Sequence, residues 1–165
     1  MTVDEFNRMM EENSKKIAYF VILPTAVQLV NLVRHRVQQT GKKSSGGLFS
    51  EYSDAYKTRK GKRHKDVSFK NFSDTGTMWD SFEIQDIDAT LGNVEIIAKM
   101  DDDVRPKPIP KKPRSIGTSG GKPKTNQGLM EIHSTAEKTE IIAPSEKEIE
   151  LVTISMNKRL QELWA

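Results

Sequence analysis

Chemistry on this chain is easiest to look for in one run. Lys57 to Lys65 reads Lys-Thr-Arg-Lys-Gly-Lys-Arg-His-Lys and holds six Lys/Arg in nine residues. Contact with a phosphate backbone needs such a density of cations and no fixed geometry. Lys57, Arg59, Lys60, Lys62, Arg63 and Lys65 are therefore candidates for touching nucleic acid, and Tyr52 and Tyr56 lie near enough to stack. The same run also reads as a solvated loop whose like charges repel one another. A second basic stretch, Arg105–Lys124, is richer in proline and would sooner order against a protein neighbour as an extended arm.

Nothing in the sequence assembles a reactive centre. His35, His64 and His133 fall on a helix, a basic loop and a strand-like segment, and none has a partner at metal-ligand spacing. Asp101-Asp102-Asp103 is the densest carboxylate cluster, but it lacks the glycine and distal glutamate of a calcium loop. The Gly117–Gly121 stretch hints at a phosphate loop, yet it lacks the required spacing and runs into Pro123 instead of a helix. The residues imply no catalytic set, no cofactor and no metal.

The elements that would position these residues follow from pattern. The chain has 165 residues, 35% of them apolar, 7% aromatic and 30% charged, with 26 basic against 23 acidic side chains. A length of this order fits one domain with a modest core, 1–165. Cysteine is absent, which excludes disulfides and thiolate chemistry. The acidic start, Met-Thr-Val-Asp-Glu-Phe, does not read as a signal peptide. Ile17–Val37 is the longest apolar stretch, but Pro24, Gln28, Asn31, Arg34, His35 and Arg36 interrupt it, and no membrane span is expected.

Residues 1–40 read as N-terminal helices. Thr2 and Glu5 form a capping box ahead of a helix over 3–20. Pro24 predicts a kink or a fresh start. Leu23, Ala26, Val27, Val30, Val33 and Val37 recur at helical spacing over 24–39, and Gly41 is a stop. A short helical turn over 49–59 precedes a basic loop over 57–65. Strands are expected from Val67 and Phe69, from Phe82–Gln85 and from Val94–Ala98, the last two joined at Gly92-Asn93. Residues 101–128 hold five of the seven prolines and read as a long extended loop. Leu129–His133 and Thr139–Ala143 suggest a second hairpin, so that 66–100 and 129–143 make the sheet. Residues 144–165 give a C-terminal helix, opened by a Ser145/Glu148 capping box and carrying an Ile149, Val152, Met156, Leu160, Leu163 stripe. The expected class is α+β, with helices covering one face of a small antiparallel sheet.

In order along the centre stand Tyr52-Ser53-x-x-Tyr56, then Arg59 and Gly61, then Val67-x-Phe69, then Thr75-Gly76-x-Met78-x-x-Ser81. This succession resembles the virion-morphogenesis and tail-completion families of long-tailed bacteriophages, which include small head–tail joining proteins of the neck. Thr75-Gly76 would allow a tight turn, Met78 and Trp79 would anchor it, and Ser81 would bond local backbone. The resemblance implies a structural virion protein and not an enzyme. It implies a cyclic homo-oligomer, a hexamer or dodecamer, between the portal-side connector and the tail tube around the DNA channel. It places the chain in the virion neck, and in the host cytoplasm during assembly. The six cations would then face DNA or a neighbouring subunit, with the N-terminal helix and the extended loop clasping adjacent rings. The alternative from the residues alone is a small basic nucleic-acid-binding protein using Lys57–Lys65.

Overall fold

The computed structural model describes residues 2–63, 65–73, 77–90, 93–99 and 125–165. One long helical rod opens the chain: α1 (Val3–Ile17), a π turn (Ala18–Ile22), α2 (Leu23–His35) and a second π turn (Arg36–Thr40). Both halves of the Thr2/Glu5 capping box are formed, with the Glu5 amide donating to Thr2 Oγ1 at 3.2 Å and the Thr2 amide to Glu5 Oε2 at 2.7 Å. A fresh α segment starts beside Pro24 as expected, and the proline does not end the helical backbone. It stands in the first turn of α2, just past the π turn, where the Leu23 amide reaches back to the Ala18 carbonyl. That wider turn is a common way to fit a proline whose ring crowds the preceding carbonyls. The rod ends where expected. Gly41 adopts φ +62, and a β-carbon there would lie 2.6 Å from the Phe69 ring.

Two short helices follow, α3 (Asp54–Gly61) and α4 (Thr77–Asp80). Then come β1 (Glu83–Thr90) and β2 (Asn93–Lys99), an antiparallel pair with Glu83 opposite Lys99 and Thr90 opposite Asn93, and an irregularity between Ile84 and Asp86. The chain closes with α5 (Asn126–Glu137) and α6 (Glu146–Trp164). α6 lies along α2. Its first turn meets the end of the rod through Arg36–Glu148, and further along it packs on the first π turn.

The α+β expectation is overturned. The described chain is mostly helical, and its described strands make only one two-stranded pair, which the rod contacts. The largest error lies in 129–143, which is not a hairpin. Thr125 caps α5 by accepting from the Gly128 amide at 3.0 Å, and Met130 is buried in the core. A five-residue apolar stretch such as Leu129–His133 satisfies strand and helix patterns alike, and burial against the core decided it. Val67–Phe69 is irregular backbone and not a strand. The basic run is not simply a loop either, because its first five residues, Lys57–Gly61, complete α3. Residues 101–124 of the expected extended loop, together with Thr75 and Gly76, lie outside the described residues.

The core sits where α2, the 49–82 segment and α5 converge. Val33 and Val37 meet Phe49, Phe72, Trp79 and Ile141. Met78 and Trp79 are buried as the central motif suggests, and Ser81 Oγ donates to the Met78 carbonyl at 2.9 Å. The apolar stretch of the rod calls for a second correction. By length and composition it does pass as a membrane span, with an 18-residue window of mean hydropathy 1.6 within Val3–Thr40, of which 28% is buried inside the fold. Proline, glutamine and asparagine lower hydropathy without adding charge, and the core helix of a soluble protein passes the same test.

Candidate functional site: a basic helix beside buried charge clamps

α3 sorts the cations of the basic run by helical geometry. Tyr56 and Lys60 share a side of α3, and Tyr52, just before the helix, packs against both. The two tyrosine rings stack with centroids 4.7 Å apart. Lys60 is 2% exposed, and its ammonium donates to Asn71 Oδ1 at 2.7 Å and to Tyr52 Oη at 3.1 Å. It lies 4.6 Å from the Tyr52 ring centroid. Lys60 therefore serves packing, and as folded it is not a channel-facing cation. Tyr52 Oη also accepts from the Asn71 and Phe72 amides, and the Asn71 carbonyl accepts from Trp79 Nε1 at 3.1 Å. These bonds hold Phe72 at φ 52, a left-handed conformation that a bulky residue adopts only when its surroundings enforce it.

The other cations take different stations. Lys57 is bound to Glu51 at 2.6 Å, a contact that raises the lysine above its usual pKa and lowers the glutamate. The Arg59 guanidinium lies 4.7 Å from the Tyr56 centroid, where the ring face attracts a cation. Lys62 and Arg63 are exposed in the turn after α3, and Lys65 is half-buried. The structure thus brings Tyr52, Tyr56, Arg59 and Lys60 together, and directs Lys62 and Arg63 outward.

Two buried carboxylates escaped the sequence reading. Glu137, at the end of α5, has a side chain 1% exposed. It accepts from Lys70 Nζ at 2.6 Å, from the Ser50 amide at 3.0 Å and from the Ser50 hydroxyl, while Lys43 Nζ lies 3.6 Å away. Burial alone would raise its pKa. The bonds from Lys70 and Ser50 outweigh that and lower it from 4.5 to about 2. Lys70 also reaches Ser50 Oγ at 3.2 Å, so a serine, a lysine and a carboxylate converge. A carboxylate with so low a pKa is a poor base for activating a hydroxyl, and the cluster reads as a clamp joining three separate segments. Nothing local marks Glu137 in the sequence, since its partners lie 67 and 87 residues away.

Glu148 is the second. It completes its capping box with Ser145 and also meets Arg36 Nε at 2.9 Å, both side chains nearly buried. Arg36 donates in addition to the Lys42 and Ala143 carbonyls, each at 2.7 Å. The sequence showed Glu148 as a capping residue and gave no sign of its second partner. Of the histidines, His35 is exposed, His133 lies 5.1 Å ring to ring from Phe72, and His64 is outside the described residues, as are Asp101–Asp103 and Gly117–Gly121. Among the described residues no group of His, Asp and Glu could hold a metal ion. Comparison with known proteins found no matching family model, curated protein or solved structure.

Proposed function

We propose that this chain is a structural subunit of a bacteriophage neck, a head–tail connector or tail-completion protein that acts by assembling into a ring and not by turning over a substrate. The observation that carries the reading is the ordered central segment from Tyr52 to Ser81. Its residues resemble those families, and Tyr52, Met78 and Ser81 among them are buried. The helical architecture adds no support, because the α+β class read from the sequence pattern is not the one found.

Exposed apolar side chains favour a chain that is finished by neighbours. Phe20 is 65% exposed and Tyr19 57%, both on the rod, and Ile154 on α6 is 62% exposed. The adjoining layers would be the portal-side connector and the tail tube, with packaged DNA passing through. Electron microscopy of a native particle, with the chain identified by mass spectrometry, tests this directly. Density for a ring of this chain at the neck is the expected result, and its absence from purified particles sinks the reading.

A second reading is favoured by the outward placement of Lys62 and Arg63 next to the Arg59–Tyr56 stack. A small nucleic-acid-binding protein would use these cations. Its affinity for duplex DNA would fall steeply with salt, and neutralising Arg59, Lys62 and Arg63 together would flatten that dependence by roughly three phosphate contacts. Equal binding by wild type and triple variant rules this reading out.

A further inference from the structure

α1 touches β1 and half-buries Met10, Asn13, Ser14 and Ile17 on one side, but none of its side chains is fully buried. Phe6 is 43% exposed and Met9 41%, at the free end of the rod. Glu5 and Glu12 lie within one turn on either side of Met9, so the apolar patch is bracketed by carboxylates.

The opposite arrangement occurs on α6. Lys147, Leu151, Ile154 and Lys158 follow one another at helical spacing and form a single stripe. Glu148 and Val152, on the other side of α6, are buried, so this stripe points away from the molecule. Leu151 is 44% exposed and Ile154 62%, and Lys147 and Lys158 are both exposed. An apolar pair bracketed by lysines therefore complements an apolar pair bracketed by glutamates. Within one copy the two do not meet. The rod continues from α1 into α2 without a break, and the α6 stripe faces away from the rod.

We propose that α1 of one copy docks on the outward stripe of α6 of a second copy, Phe6 and Met9 against Leu151 and Ile154, carboxylates against lysines. The inference rests on the ring reading and names its interface. Because the two patches differ, the contact is head-to-tail, the kind that closes into a ring or runs on as a filament.

The test uses the full chain with Met9→Asp and Ile154→Asp, both at exposed positions, followed by native mass spectrometry and light scattering across concentration. Wild type is expected to form higher oligomers. Each variant is expected to associate at least ten-fold more weakly while its circular-dichroism melt stays at the wild-type temperature. Mixing the two variants is expected to give a one-to-one pair and nothing larger, since one keeps an intact α6 stripe and the other an intact α1. If both variants assemble like wild type, or their mixture stays monomeric, the docking is overturned while the ring reading stands. A wild-type chain that stays monomeric at every concentration, whether it then binds lipid vesicles or another protein, overturns the docking; its absence from particles as well removes the ring reading.

Discussion

The two ends of the same helical rod are stabilised in opposite ways. Near its C-terminal end, α2 and the second π turn bury Val30, Val33 and Val37 in the core, and Arg36 is tied to Glu148 and two carbonyls. At the N-terminal end, α1 buries no side chain fully, half-buries Met10 and Ile17 where it touches β1, and adds its capping box and a Glu11–Lys15 pair at 2.8 Å. Exposed pairs of this kind contribute little, typically below about 1 kcal/mol. The body thus has its stability within one chain, and α1 keeps Phe6 and Met9 available for a neighbour. An amphipathic pattern alone does not say which of these a helix will do, since both segments show one.

The sharpest way to break this comparison is at the clamp. Glu137→Gln removes the charge that Lys70 and Lys43 face and leaves buried donors poorly paired, and should cost about 3–5 kcal/mol of stability. Urea unfolding of the full chain measures it, and a loss near zero would show that the body does not depend on buried ion pairs.

Acid should erase the same contribution. The folded value of Glu137 lies below its ordinary 4.5, at about 2, so the unfolded chain takes up a proton first as pH falls. The stabilisation is complete above about pH 5 and fades towards pH 2, an effect of about 3 kcal/mol at most. Wild type should therefore lead Glu137→Gln by a constant margin at neutral pH, with the margin closing as pH drops to about 2. Urea midpoints compared between the two proteins across that range follow it.

Gly41→Ala probes the end of the rod. It forces a left-handed residue and a β-carbon into contact with the Phe69 ring at 2.6 Å. A loss of about 1–3 kcal/mol is expected, with the melting temperature falling accordingly. The smallest effect should come from Phe6→Ser in α1, within about 0.5 kcal/mol for the isolated chain. A larger drop in its melt would mean that the Phe6 side of α1 also packs on the body.

Much of the helical framework could be read directly. Both capping boxes, the Gly41 stop, the periodic run over 24–39 and the reversal into β2 depend on neighbours a few residues apart, and such signals survive in the folded chain. The class could not be read. Leu129–His133 is ambiguous by pattern, and only its placement against the core, with Met130 buried, makes it helical. The candidate site was half legible for the same reason. Six cations in nine residues are plain in the sequence, but which of them turns inward is set by the helix that forms there and by Asn71 waiting beside it.

By itself, then, the sequence determined where helices begin and end, because capping, glycine conformation and apolar period act over a turn or two of chain. Tertiary structure decided which charges are buried, since Glu137 and Lys70, Arg36 and Glu148 meet only after distant segments pack. A buried charge is tolerated only where its partner is already held, and that condition belongs to the folded molecule as a whole.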